Sequence, residues 1–157
     1  MNRKIIVEPF TDTYNAVGYY CIRFAEDEDN EFEKFVSIYS DKNGEHIKSF
    51  DRIMGWLNEI GDKGNVDLYL RDEGGRVRAL PLKFGRLRLY CYKVSDSIII
   101  LGNGGYKSLE TQAYQDDKHL NQCVQDLKKV GKLLLERVNK KEDLSIDRCK
   151  LSGNLKF

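Results

Sequence analysis

The residues with chemical capability gather between Arg71 and Tyr114. Within residues 71–93, Arg71, Arg76, Arg78, Lys83, Arg86, Arg88 and Lys93 stand against only two acids, Asp72 and Glu73. Local field rather than net charge governs contact with phosphates, so this block is the part of the chain suited to an anionic partner. Lys107 and Tyr114 follow a glycine-rich stretch, Gly102 to Gly105. Such cations can hold a phosphate and stabilise charge that develops on it, and a tyrosine can stack on a base or move a proton. Each residue also has a plainer use. Arg86 and Arg88 would serve as the solvated face of a strand, Lys107 as a solvated lysine, and Tyr114 as a helix-start residue packed on a sheet.

Other chemistries are poorly supplied. Gly102-Asn103-Gly104-Gly105-Tyr106-Lys107-Ser108 resembles a phosphate loop, but Tyr106 interrupts the Gly-Lys-Ser run that loop requires. The glycines read instead as a strand-ending turn that needs positive φ. His46 and His119 are the two histidines, and neither sits in a Ser-His-Asp or Cys-His context. His119 and Cys123, four apart on a predicted helix, would make half a metal site. Cys21, Cys91, Cys123 and Cys149 contain no C-x-x-C pair, so neither a metal centre nor a cofactor is expected.

The elements that must position these residues are marked by hydrophobic period. Val17 to Phe24 reads as a first strand. The acidic block from Glu26 to Glu33 opens a helix running to about residue 40, since carboxylates favour a helix N-terminus. Ile47, Phe50, Ile53, Met54, Leu57 and Ile60 form the stripe of a second helix over 46–60, with Trp56 at its margin. The two would make a helical hairpin. Val66 to Leu70 reads as an extra strand, Asp72-Glu73-Gly74-Gly75 as a hairpin turn and Arg76 to Leu82 as the next strand. Arg86, Arg88, Tyr90 and Tyr92 alternate with Leu87, Leu89 and Cys91, the period of a half-buried strand. Ser95-Asp96 turns the chain into the apolar strand Ser97 to Leu101. A last helix spans about 116–139, weakened by roughly 1 kcal/mol at Gly131. Residues 142–157 read as a tail or a docked strand.

In its order of elements this stretch resembles the catalytic half of the RelE/ParE toxin superfamily. A short basic strand precedes a Gly-x-x-Arg strand (Gly85 to Arg88), an Ile-rich strand, a glycine turn with a basic residue, and a tyrosine opening the last segment. The resemblance implies an α+β fold, with a small antiparallel sheet, an N-terminal helical hairpin and a C-terminal helix, as one domain over 1–157 with its core at about 17–140. It implies a ribosome-dependent mRNA endonuclease, neutralised by a cognate antitoxin and working without metal. Arg88 matches the arginine of the Gly-x-x-Arg strand, Tyr114 the tyrosine, and Lys107 the basic residue after the turn. These three are the implied catalytic set, and Lys83, Arg86 and Arg78 are candidates for RNA phosphate contact. An arginine often found further on is replaced here by Ser108 and Leu109. That departure leaves open a non-catalytic interaction module or a gyrase-targeting toxin on the same fold.

Composition agrees with an ordinary globular chain. Hydrophobic residues make up 41% and charged residues 32%, too apolar for a disordered polyelectrolyte. No apolar run approaches the roughly 18 residues of a membrane span. The run Ile5-Ile6-Val7 is too short for a signal peptide, so the cytoplasm is the expected location. Net charge is +1, which excludes indiscriminate electrostatic binding to nucleic acid by the whole surface.

Overall fold

The computed structural model describes residues 3–81 and 85–157. The fold is α+β. Strands β1 (Ile5–Pro9) and β2 (Gly18–Phe24) precede helices α1 (Glu31–Tyr39), α2 (Ile47–Lys63) and the one-turn α3 (Val66–Tyr69). Strands β3 (Arg71–Asp72), β4 (Val77–Leu80), β5 (Leu87–Ser95) and β6 (Ile98–Tyr106) follow, then α4 (Lys118–Asn139) and the hairpin β7 (Leu144–Asp147) and β8 (Lys150–Gly153). Six strands form one sheet in the order β1-β2-β6-β5-β4-β3.

That sheet is mixed, not purely antiparallel as the sequence suggested. β2 runs parallel to β6, with Gly18 opposite Ile98 and Cys21 opposite Leu101, while the other pairings are antiparallel. The parallel pair arises because α1 and α2 lie between β2 and the β4–β6 meander and carry the chain back across one face. α1 starts where the acidic block predicts a helix. Asn30 accepts from the Glu33 N–H at 2.8 Å, and Glu33 accepts from the Asn30 N–H at 2.9 Å. Such a reciprocal cap is worth about 1 kcal/mol. The two helices touch through Phe35 and Phe50, whose rings lie 6.0 Å apart.

Both sheet faces are covered. Tyr19, Cys21, Leu87, Leu89, Cys91, Ile99 and Leu101 pack under α1 and α2. Tyr20, Ile22, Tyr90, Tyr92, Ile98 and Ile100 pack under α4, against Val124, Leu127, Val130 and Leu134. β5 is therefore a central strand buried on both sides, and its alternation separates two cores rather than core from solvent.

Four further expectations are corrected. Ile5–Pro9 is a strand, recruited by antiparallel pairing with β2 from Ile5–Phe24 to Pro9–Tyr20. Val66–Tyr69 is helical, and beyond Leu70 the strand is only Arg71–Asp72, because Gly64 and Asn65, both at positive φ, reverse the chain first. β6 continues through Asn103-Gly104-Gly105 to Tyr106, and neither Gly104 nor Gly105 has positive φ. Glycine is needed at 104 for another reason: a Cβ there would overlap the Arg88 carbonyl of β5, where the register shifts between Leu89 and Cys91. Tyr114 opens a 3-10 turn (Tyr114–Asp116) ahead of α4, which is capped by Asp117 accepting from the Leu120 N–H at 2.9 Å.

The C-terminal residues are docked. β7 and β8 pair with each other, and Leu155 and Phe157 bond to the outer edge of β1 through Val7 and Ile5 at 2.7–2.9 Å. The sheet core thus begins at Ile5, not Val17. Among the described residues no helix is long and apolar enough to cross a membrane.

Candidate functional site

The β3–β4 turn delivers two residues that the sequence reading did not single out. Asp72 accepts from the Gly74 N–H at 2.9 Å, the Glu73 N–H donates to Val77 O at 3.0 Å, and Gly74 and Gly75 adopt positive φ. This tight turn holds Arg71 and Glu73 beside the start of β5 and the end of β6. The Arg71 Nε lies 3.5 Å from Glu73 Oε1, with the glutamate side chain 14% exposed.

Arg88 and Lys107 share that neighbourhood. Arg88 is 5% exposed and Lys107 7%. The Arg88 Nη1 donates to Gly85 O at 3.0 Å and Leu87 O at 3.1 Å, whereas its buried Nε has no partner among the described residues. Burial, then the nearby Arg71 charge, depresses the Lys107 pKa; Glu73 opposes this. Burial and Arg71 act on Arg88 in the same direction. Burial raises the Glu73 carboxyl pKa, opposed by Arg71, Lys107 and Arg88. Arg71 pairs with Glu73 from a partly exposed position, and the buried Arg88 and Lys107 lie near enough to act on the same carboxylate; for the buried Arg88 Nε an orphan donor is expensive. Such a cluster is suited to a phosphate or carboxylate.

The remaining predicted residues are placed elsewhere or used differently. Arg86 is a backbone clamp: its Nε donates to Lys107 O at 2.5 Å, and its Nη2 to Ser108 O at 2.6 Å and Thr111 O at 3.0 Å. It fixes the loop after β6 and adds positive charge to the cluster, with Nε and Nη2 engaged by carbonyls. Arg78 is on the opposite face, bonded to Gly75 O at 2.8 Å and lying 3.3 Å from Asp72. Lys93 pairs with Asp67 at 2.8 Å and Asp96 at 3.0 Å, and Arg76 donates to the carbonyls of Lys93 and Val94. The basic block is therefore not one open face. Lys83 lies outside the described residues.

Tyr114 is 5% exposed and packs edge-on to Tyr90, ring centroids 6.2 Å apart. The cation reaching its hydroxyl is Lys128, 3.3 Å away, rather than Lys107. Tyr90 connects it to the cluster: burial raises the Tyr90 phenol pKa, Glu73 adds to that rise, and Arg88 and Arg71 counter it. His119, four residues before Cys123, bonds Gly104 O at 2.9 Å through Nε2, with the Cys123 sulfur at 3.6 Å.

Arg71 was visible in the sequence only as a member of the basic block, and Glu73 only as an opposing acid. The signal that unites them is the Asp-Glu-Gly-Gly turn read together with β4–β5 pairing. Comparison with protein-family models, with curated proteins and with solved structures yields no match.

Proposed function

We propose that this chain is a RelE/ParE-like toxin, a metal-independent endoribonuclease that engages ribosome-bound message in the cytoplasm and is neutralised by a cognate antitoxin. The observation that carries the reading is the burial of Arg88 and Lys107 together, with the Arg88 Nε unspent and Arg71 alongside. Cleavage without a metal requires cations at the scissile phosphate, which this cluster supplies. The depressed Lys107 ammonium is suited to protonating a leaving oxygen at neutral pH. The succession of β2, two helices, a β4–β6 meander and a C-terminal helix supports the family-like arrangement. Two strands precede the helices here, however, so the helical pair does not stand at the N-terminus.

A non-catalytic module or gyrase-targeting toxin is the second reading. It is favoured by Tyr114, whose hydroxyl is buried beside Lys128, and by the engagement of Arg86 and Arg78 in structure. Message cleavage on translating ribosomes separates the two. Wild type should cut, Arg88→Ala should cut about a hundredfold more slowly, and folded Tyr114→Phe should show whether the phenol takes part. Growth arrest without any cut message would select the second reading.

A further inference from the structure

The loop that follows β6 carries Lys107 at its root, and hydrophobic burial does not hold it. Of residues 108–113 only Thr111 is buried, and Leu109 is 81% exposed. The β5–β6 ladder ends at Leu87 and Tyr106, after which the Lys107 N–H donates to Arg86 O at 2.7 Å. The Arg86 side chain takes over from there. Its Nε and Nη2 reach Lys107 O, Ser108 O and Thr111 O, so one guanidinium ties together both ends of a turn. The turn is closed by the Thr111 N–H donating to Ser108 O at 3.0 Å, and the Ser108 and Thr111 hydroxyls share a further bond at 2.9 Å. Lys107 is only 7% exposed, although a lysine ordinarily keeps its ammonium in water.

We propose that Arg86 is a positioning residue that acts through Lys107: its fork holds the loop, and the loop holds the lysine inside the cation cluster. The proposal rests on the reading of Lys107 as the acid of cleavage and adds what keeps it fit for that role. Three points argue for it. The geometry needs a guanidinium, because a planar fork serves three carbonyls at once, whereas an ammonium is a point donor on a flexible stem. One of the three carbonyls belongs to Lys107 and another to the next residue, so the clamp acts on the lysine's own backbone. Burial, then the Arg71 charge, lowers the Lys107 pKa; Glu73 opposes this, and Arg88 and Arg86 add to the fall. A loop released from Arg86 lets the ammonium reach water, where burial no longer depresses it. The charged groups facing Lys107 are thus Arg71 and Glu73 from β3 and its turn, Arg88 from β5, and Arg86 just before β5.

The test is the titration of Lys107, read by NMR of protein with isotope-labelled lysines, its signal assigned through Lys107→Arg. In wild type Lys107 should titrate below the exposed lysines. Arg86→Gln loses both fork and charge, and Arg86→Lys keeps the charge alone. Both should move the Lys107 titration up towards that of the exposed lysines, in proteins whose remaining spectrum matches wild type. Message cleavage should fall about a hundredfold in both, with its alkaline limb moving to higher pH in step with Lys107. An unmoved Lys107 titration in the folded variants overturns the proposal and leaves Arg86 as a brace of the loop alone. A titration that moves in Arg86→Gln but not in Arg86→Lys also overturns the clamp, since charge alone then accounts for the shift. A further arm uses wild type only, so a folding defect cannot decide the outcome. The Arg86 Nε–H should exchange with water about tenfold or more slowly than that of the exposed Arg148, and equal rates overturn the clamp. Wild-type Lys107 titrating with the exposed lysines overturns the acid reading as well. An Arg86-dependent Lys107 titration in a chain that never cuts message overturns the acid reading alone and leaves the clamp standing.

Discussion

A lysine buried beside two arginines is a charge held where charge is costly, and Lys107 should therefore leave a mark on stability. Its folded pKa lies below its unfolded value, so the unfolded chain holds the proton over a window in which the folded chain has released it. Unfolding free energy should rise with pH across the alkaline range just beneath the ordinary lysine value. Lys107→Met should flatten that rise, measured by urea unfolding followed through Trp56 fluorescence at about pH 8 and about pH 10. A variant with the same slope as wild type would mean that Lys107 is not held charged against its surroundings. Arg88 and Lys107 were named in the sequence through the resemblance alone, and the fold buries both. The structural use of Arg86 was not legible there, since its acceptors are carbonyls 21 to 25 residues further along the chain. Strand alternation places Arg78 on the other face from Arg88, and its acidic partners come from α3 and β3.

At the scale of elements, α4 carries an instructive glycine. Propensity alone says that Gly131→Ala should stabilise a helix by roughly 1 kcal/mol. In the fold, a Cβ at 131 would overlap the Tyr92 ring of β5. The substitution should instead destabilise by about 1–3 kcal/mol, read as a lower urea midpoint at unchanged m-value. A higher midpoint would show that Tyr92 and α4 do not pack as described. The same contrast explains which elements were legible. α1, α2 and α4 follow from the period of their apolar residues, and β5 and the first half of β6 from strand alternation. β1 is only five residues and depends on pairing with β2 and on the C-terminal segment along its edge. The second half of β6 is written in glycines, which usually signal a turn. Here they allow β5 and β6 to approach where a side chain would collide with the Arg88 carbonyl. The helical turn at 66–69 has an ambiguous four-residue pattern and was settled by the chain reversal at Gly64-Asn65.

At the scale of the whole molecule, six strands are clad on both faces by helices, and Arg71, Arg88 and Lys107 gather at the ends of β3, β5 and β6. Net charge is only +1, so affinity for an anion must come from a local cluster. Much of the basic block is committed to carbonyls or acids; Arg71 itself pairs with Glu73, and at Arg88 it is the buried Nε that has no partner among the described residues. The most direct measurement is the dependence of single-stranded RNA affinity on salt concentration. It should be run side by side on wild type, Arg88→Met, which keeps the aliphatic stem, and Arg78→Met. A phosphate held by Arg88 predicts that log affinity falls with log salt, and that Arg88→Met makes the slope shallower by about 0.7, while Arg78→Met leaves it unchanged. Equal slopes for wild type and Arg88→Met, or a loss confined to Arg78→Met, would contradict the account.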